Sequence, residues 1–348
     1  MNNKETHPKE KDATFSKKLV ILYLQQLFHE RTDDTHYIRM PEILSYLEKR
    51  GVPADRRTVY SAVRILDFSG FEIIGIQEKG GYKYHHPTRL FDTNELKVLI
   101  DSVASSKYLT DKKSKELITK IKSLGSIFDN EHLNRNVLLS KRVKSMNDKV
   151  LNNLDIIYAA ISSNTQISFH YMKWTPQKKL DYVRKGETYF VSPFAVTLSD
   201  DNYYLISFDH KYQNLRHYRI DKMQYIKHTS EPREGIELFK NFDIADYSMK
   251  TFGMFSGKEQ TVQLQCKNSM AGVFIDRFGK DIAIRPDFNN PNCFIARITV
   301  NVSPQFYAWL FGLGRDVKIL SPETVINEYN VMLQKVIANY NDRSETSV

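Results

Sequence analysis

The stretch from Asp55 to Gly70, DRRTVYSAVRILDFSG, puts two different faces on one short helix. Asp55 is placed to cap it, Val59, Ala62, Val63 and Leu66 fall at i, i+3, i+4 and i+7, and Gly70 closes it. Arg57, Tyr60, Ser61 and Arg64 occupy the other face, with Arg56 and Thr58 in the first turn. Guanidinium, hydroxyl and phenol groups at helical spacing near a helix N-terminus suit phosphates and base edges in a DNA major groove. A merely solvated charged face would show the same spacing, so the flanking segments decide between the two.

Phe15 to Thr32 reads as a helix with Val20, Tyr23, Leu24 and Leu27 on one side. Met40 to Arg50 reads as a second, with Ile43, Tyr46 and Leu47 inward, Pro41 in its first turn and Gly51 past its end. After the Asp55–Gly70 segment, Phe71 to Gln77 and Tyr82 to His86 alternate as strands about a Glu78-Lys79-Gly80-Gly81 turn. Helix, helix, helix, hairpin is the order of a winged helix-turn-helix, expected over 14–88. In that arrangement the third helix reads the major groove and Lys79 and Lys83 of the wing reach phosphates. The expected partner is a double-stranded DNA operator.

Composition agrees with this. Over 348 residues the formal net charge is +9, which favours a polyanionic partner, and 41% hydrophobic residues with 12% aromatics can fill several cores. Fraying is expected at Met1 to Ala13 and Asn341 to Val348. The longest apolar run, Leu19 to Leu24, is too short to span a bilayer, and the polar start lacks a signal-peptide core, so a cytoplasmic protein without membrane contact is expected. Cys266 and Cys293 form no CxxC pair and read as small buried hydrophobes, leaving room for one bridge at most.

From Phe91 the period is helical again. Asp92 with Glu95 forms a capping box ahead of Leu96, Leu99, Ile100 and Val103. Helices follow over Asp111 to Leu124 and Asn147 to Ser162. This connector, 89–163, is read as docking the first domain or forming a dimer seam. A homodimer is expected, because duplex sites of such domains usually come as two half-sites.

The character changes at Thr165. Thr165 to Tyr171, Thr188 to Thr197, Tyr203 to Phe208 and Leu215 to Ile220 read as short antiparallel strands of a small barrel, over 164–228. The segments YFVSPFAVTLSDDNYYLISFDH and RHYRIDKM resemble a WYL domain, its Trp-Tyr-Leu triplet falling at Tyr203, Tyr204 and Leu205. The resemblance extends to the layout of bacterial WYL-family transcriptional regulators, with a DeoR-like winged helix-turn-helix before the domain and an extension after it. It implies an Sm-like barrel and a pocket for a nucleotide or single-stranded nucleic-acid ligand. Carried over by motif, that pocket takes His170, Tyr171 and Lys173 from the first strand, Ser192 beside Pro193, Tyr204, and Arg216, His217, Arg219 and Lys222. Two positions depart from the family pattern. Tyr203 replaces the tryptophan, and Lys222 replaces an arginine, losing the planar bidentate grip.

The residues alone leave that pocket open to two readings. Arg219 and His217, on one strand face near Tyr171, suit a phosphate and a base; equally, Arg219 can pair with Asp221 while the tyrosines fill the barrel.

Thr229 to Gln260 reads as an irregular linker with short helices, holding a Phe252, Met254 and Phe255 cluster expected to dock. Residues 261–340 read as strand, helix, strand, strand, helix, strand, helix, a ferredoxin-like module. Trp309 belongs to its core, on one apolar stripe with Phe306, Leu310 and Leu313. The fold class is therefore α+β and multidomain.

Catalysis finds no support. There is no G-x-S-x-G, GxxxxGK[ST] or HExxH motif and no dinucleotide glycine fingerprint. Glu116, Asp155 and Asp276 are scattered, and His85 and His86, adjacent on a strand, point apart. No catalytic residue, metal or cofactor is expected. Two functions follow: a ligand-responsive, dimeric DNA-binding regulator, or a nucleic-acid-binding accessory protein that controls a partner enzyme.

Overall fold

The computed structural model describes residues 13–135, 144, 147, 149–240 and 242–341. Apart from Ala13 and Asn341, both at helix ends, the segments expected to fray lie outside the described residues. The chain divides into two compact units, Met1–Met146 and Asn147–Val348. No described helix is long and apolar enough to cross a membrane.

The first unit opens with α1 (Ala13–Arg31), a two-residue strand β1 (Ile38–Arg39), α2 (Met40–Lys49) and α3 (Arg56–Phe68). Asp55 caps α3, its carboxylate accepting from the Thr58 N–H at 2.7 Å. Strands β2 (Ile74–Glu78) and β3 (Gly81–His85) form the hairpin, Glu78 opposite Gly81 across the turn. Gly80 and Gly81 sit at φ of 108° and 123°, where a side chain would strain the turn. β1, not anticipated, completes a sheet of order β1-β3-β2. The inward residues of all three helices meet in one core with Val20, Leu24, Phe28, Ile43, Leu47, Val59 and Leu66. Burying such side chains contributes about 1.5–3 kcal/mol each.

Next come α4 (Thr93–Ser105), α5 (Asp111–Lys122) and α6 (Ile127–Arg135), packed around Leu96, Ile100, Ile118 and Leu133. The Asp92–Glu95 capping box forms as expected. α6 was missed although its signal is present: the Ser126 hydroxyl accepts from the Asp129 N–H, and the Asp129 carboxylate accepts from the Ser126 N–H.

The second unit starts with α7 (Val150–Ser162). The sequence grouped this helix with the connector; in the structure it packs on the strands that follow, and its buried Asn153 donates to the Met223 carbonyl. Those strands are β4 (Thr165–Trp174), β5 (Leu180–Tyr182), β6 (Thr188–Ser199), β7 (Asn202–Asp209), β8 (Asn214–Arg219) and β9 (Met223–Pro232). All pairings are antiparallel. β4 pairs with β5, β6 and β9, and the sheet continues through β6 to β7 and β8. β9 corrects the reading of Thr229 onward as irregular linker, since the strand runs on to Pro232. Its period-2 pattern is hidden by two register shifts against β4 and by Tyr225 at φ 54°.

A strap with α8 (Ile244–Lys250) leads to the last part. There Phe252 and Met254 are buried as expected, while Phe255 is exposed. The remaining elements are β10 (Lys258–Lys267), α9 (Ala271–Phe278), β11 (Ala283–Pro286), β12 (Cys293–Val302), α10 (Pro304–Gly312), β13 (Val317–Ser321) and α11 (Glu323–Asn341). The antiparallel sheet has order β11-β12-β10-β13. Trp309 packs with Phe252, Phe274, Phe278 and Phe306 in its core. Both cysteines are free; Cys266 is buried and Cys293 partly so.

Candidate functional site

Two surfaces collect the residues singled out by sequence. On the first, α3 presents Arg56, Arg57, Ser61 and Arg64 to solvent, with Thr58 half-buried. Tyr60 is exposed but engaged: its phenol shares a hydrogen bond with Tyr84 of β3, whose hydroxyl is pushed up to about 12 by burial and by that bond. This contact joins helix and hairpin. Arg57, Thr58 and Ser61 also line a groove of about 320 Å³ together with Lys17 and Ile21 of α1 and Ile65. Sequence reasoning missed Lys17 and Ile21, which come from another helix. It also passed over Ile65 and Phe68, 49% and 95% exposed, although 57, 61, 65 and 68 share one helical stripe.

The two hairpin lysines differ. Lys79 is exposed at the turn. Lys83 is tied down: its ammonium lies 2.5 Å from Glu78 and over the Tyr37 ring at 4.1 Å, and Arg39 reaches the same carboxylate at 3.0 Å. The Lys83 contact holds the Glu78 carboxyl below its ordinary range. Both buried histidines are satisfied, the Nδ1 of His85 at the Asp33 carbonyl and that of His86 at the Glu72 carbonyl. Among the described residues no cluster suited to a metal ion occurs.

The second surface is a cleft of about 520 Å³ in the second unit. Tyr171, Tyr204, Arg216, His217 and Arg219 line it, together with Gly253 to Ser256 of the strap. Five of the nine expected ligand residues therefore meet. The other four lie apart. His170 bonds the Gly186 carbonyl through Nδ1, and Lys173 is exposed on β4. Ser192 is buried between His210 and the Glu234 N–H. Lys222 lies over the Trp174 ring and 3.5 Å from Asp221; burial holds its ammonium below the usual range.

Polar groups in the cleft are largely spent on one another. The Arg219 guanidinium grips Asp221 with two bonds of 3.0 Å and donates to Asn202 at 2.7 Å, while its backbone N–H donates to the Tyr171 hydroxyl. His217 has its Nδ1 2.8 Å from the Met254 carbonyl and its Nε2 2.9 Å from the Tyr247 hydroxyl. That arrangement suits a neutral ring, and burial lowers its pKa. Tyr171, Tyr189 and Tyr218 pack with Phe169 as an aromatic cluster inside the sheet. Burial pushes the Tyr171 phenol up to about 12. Tyr218 donates to the buried Asp209 carboxylate and is raised further, by burial and then by that bond. The internal contacts that compete with a ligand pocket, an Arg219–Asp221 pair and packed tyrosines, are present.

Comparison with curated proteins finds no match. Among solved structures the chain is similar to proteasome accessory factor B/C (PafBC) of Arthrobacter aurescens, at 17% identity and a TM-score of 0.29. That likeness covers 98% of this chain and 53% of PafBC, so this chain spans about half its length. A CRISPR Cas-related protein is similar at 14% identity and a TM-score of 0.35, over 98% of this chain and 89% of that one. At these scores neither likeness bears on what this chain binds. Residues 152–228, from within α7 to within β9, match the WYL domain, and the middle of this chain is a WYL domain.

Proposed function

We propose that this chain is a DNA-binding transcriptional regulator, acting as a homodimer, whose affinity for an operator responds to a ligand bound by the WYL domain. In this reading residues 13–88 are a winged helix-turn-helix with α3 as the recognition helix and the β2–β3 hairpin as the wing. The strands β4 to β9 form an Sm-like barrel, and residues 258–341 a ferredoxin-like module. One observation carries the proposal: α3 holds Arg56, Arg57, Ser61 and Arg64 in solvent beside a glycine-turned hairpin whose tip is Lys79. Exposed donors on a helix braced by a hairpin suit duplex DNA. The ligand is a nucleotide or single-stranded nucleic acid, and coupling requires it to favour one arrangement of the two DNA-reading units over another.

The double variant Arg57→Ala, Arg64→Ala tests this. It is expected to weaken binding to a native operator by roughly a hundredfold at fixed salt, each arginine contributing about 1–3 kcal/mol. Parent-like affinity would remove α3 from the interface.

A further inference from the structure

Beside the cleft, two guanidiniums share one tyrosine. Arg216 lies 3.6 Å from the centroid of the Tyr212 ring and Arg184 lies 5.0 Å from it; Arg184 also lies 4.2 Å from the Tyr189 ring. Among the described residues neither guanidinium has a carboxylate within hydrogen-bond distance: Arg216 is 3.9 Å from Asp209 and Arg184 is 4.0 Å from Glu187. Those carboxylates are engaged elsewhere. Asp209 accepts from the Tyr218 hydroxyl and from the N–H groups of Lys211 and Tyr212, and Glu187 accepts from the Lys211 ammonium at 2.9 and 3.0 Å. Ring faces hold a cation without using its in-plane N–H donors, so both forks keep donors to spend.

The backbone supports the same point. Arg184 and Lys185 both adopt left-handed conformations, at φ 53° and 54°, directly before Gly186 at 86°. Consecutive non-glycine residues there are strained, and such strain collects where a side chain must be aimed. The turn delivers Arg184, its side chain 19% exposed, to a cavity of about 440 Å³ lined also by Tyr189, Phe190, His210, Lys211 and the two engaged carboxylates, Glu187 and Asp209. Phe190 and Tyr212 are 52% and 43% exposed, so flat apolar surface lies next to the cationic group.

We propose that Arg184, with Arg216 stacked on the same tyrosine, takes the phosphate of a nucleoside phosphate whose base lies on Phe190. This deepens the ligand-sensing reading and rests on it. It places the anion at residues outside the WYL motif pocket, apart from Arg216. A planar fork meets a phosphate with two parallel bonds, and a base gains stacking on an exposed ring.

Calorimetric titration of the full chain with a nucleoside monophosphate, the same nucleoside, and inorganic phosphate tests the site. The monophosphate should bind, and the nucleoside and free phosphate should each bind roughly tenfold or more weakly. Arg184→Ala should weaken the monophosphate by roughly tenfold and by more than Arg219→Ala does. Arg184→Lys should recover only part, because an ammonium lacks the fork. Should Arg184→Ala melt below the titration temperature, Arg184→Lys and Arg216→Lys carry the same comparison. Equal binding of nucleoside and monophosphate, or parent-like binding by the folded Arg184 variants, would overturn the proposal. Loss in Arg219→Ala with Arg184→Ala at parent affinity would also overturn it, while leaving ligand sensing in place at the motif cleft.

Discussion

The outer face of α3 and the WYL cleft both gather arginines with hydroxyl groups, yet they hold them in opposite ways. On α3, Arg56, Arg57 and Arg64 stand in solvent. In the cleft, Arg219 is gripped by Asp221 and Asn202, and His217 is held between Met254 and Tyr247. An uncommitted cation that meets a phosphate releases the counterions condensed on the nucleic acid, so its binding is strong at low salt and falls as salt rises. A committed one must first release a partner, so, Arg216 apart, what the cleft supplies is shape and rigidity rather than free charge. Similar residue types thus stand in solvent at one place and, Arg216 apart, are bound into the architecture at the other.

Stability measurements are the widest way to break this contrast. Tyr218→Phe leaves the buried Asp209 carboxylate without its phenol donor and should lower unfolding free energy by about 1–3 kcal/mol. The pair Arg57→Ala, Arg64→Ala, which touches only exposed side chains, should stay within about 0.5 kcal/mol of the parent, apart from any change in helix propensity. Chemical denaturation read by far-ultraviolet circular dichroism compares them. Equal costs would mean that the two surfaces do not differ in commitment.

Acidification sharpens the contrast from another side. Burial lowers the pKa of His217 in the folded state, so below the ordinary histidine value of 6.5 the unfolded chain binds more protons than the folded one. The contribution is therefore complete above that value and is lost as pH falls through it toward the folded pKa. His86, lowered mainly by burial too, acts in the same sense within the first unit. Replacing His217 with Gln should flatten the pH dependence of unfolding below about 6.5 without removing the part due to His86. An unchanged pH profile would show that His217 titrates as in water.

The smallest expected effects lie on the hairpin. Lys79→Ala should lower the salt slope of duplex binding by about one, as for a single phosphate contact. Lys83→Ala should lower it by less, since Glu78 already neutralises that ammonium. A larger loss from Lys83 would reverse the assignment.

Legibility in the sequence follows the range of the contacts. α3, its Asp55 cap and the glycine turn of the hairpin depend on neighbours within a few residues, and all were readable as such. β1 and β5 span two and three residues, too few for a period to register. β9 was cut short because its buried Met223 and Ile226 stand three apart across a bulged, left-handed stretch. In the cleft, the Arg219–Asp221 pair was legible as an i, i+2 relation, although β8 ends at Arg219 and Asp221 lies in the 3-10 turn that follows. The Tyr247 and Met254 partners of His217 were not, since 30 and 37 residues separate them. Arg184 was equally hidden: its position depends on two left-handed residues and on Tyr212, a contact no local pattern announces.

Whether α3 reads DNA sequence is decided by an equilibrium titration at one fixed near-physiological salt. The full chain is titrated against the duplex upstream of its own gene and against a scrambled duplex of equal length and composition. A preference of roughly a thousandfold or more for the native duplex is expected. Equal binding to both, falling steeply together as salt is raised, would contradict it and reduce α3 to a basic surface.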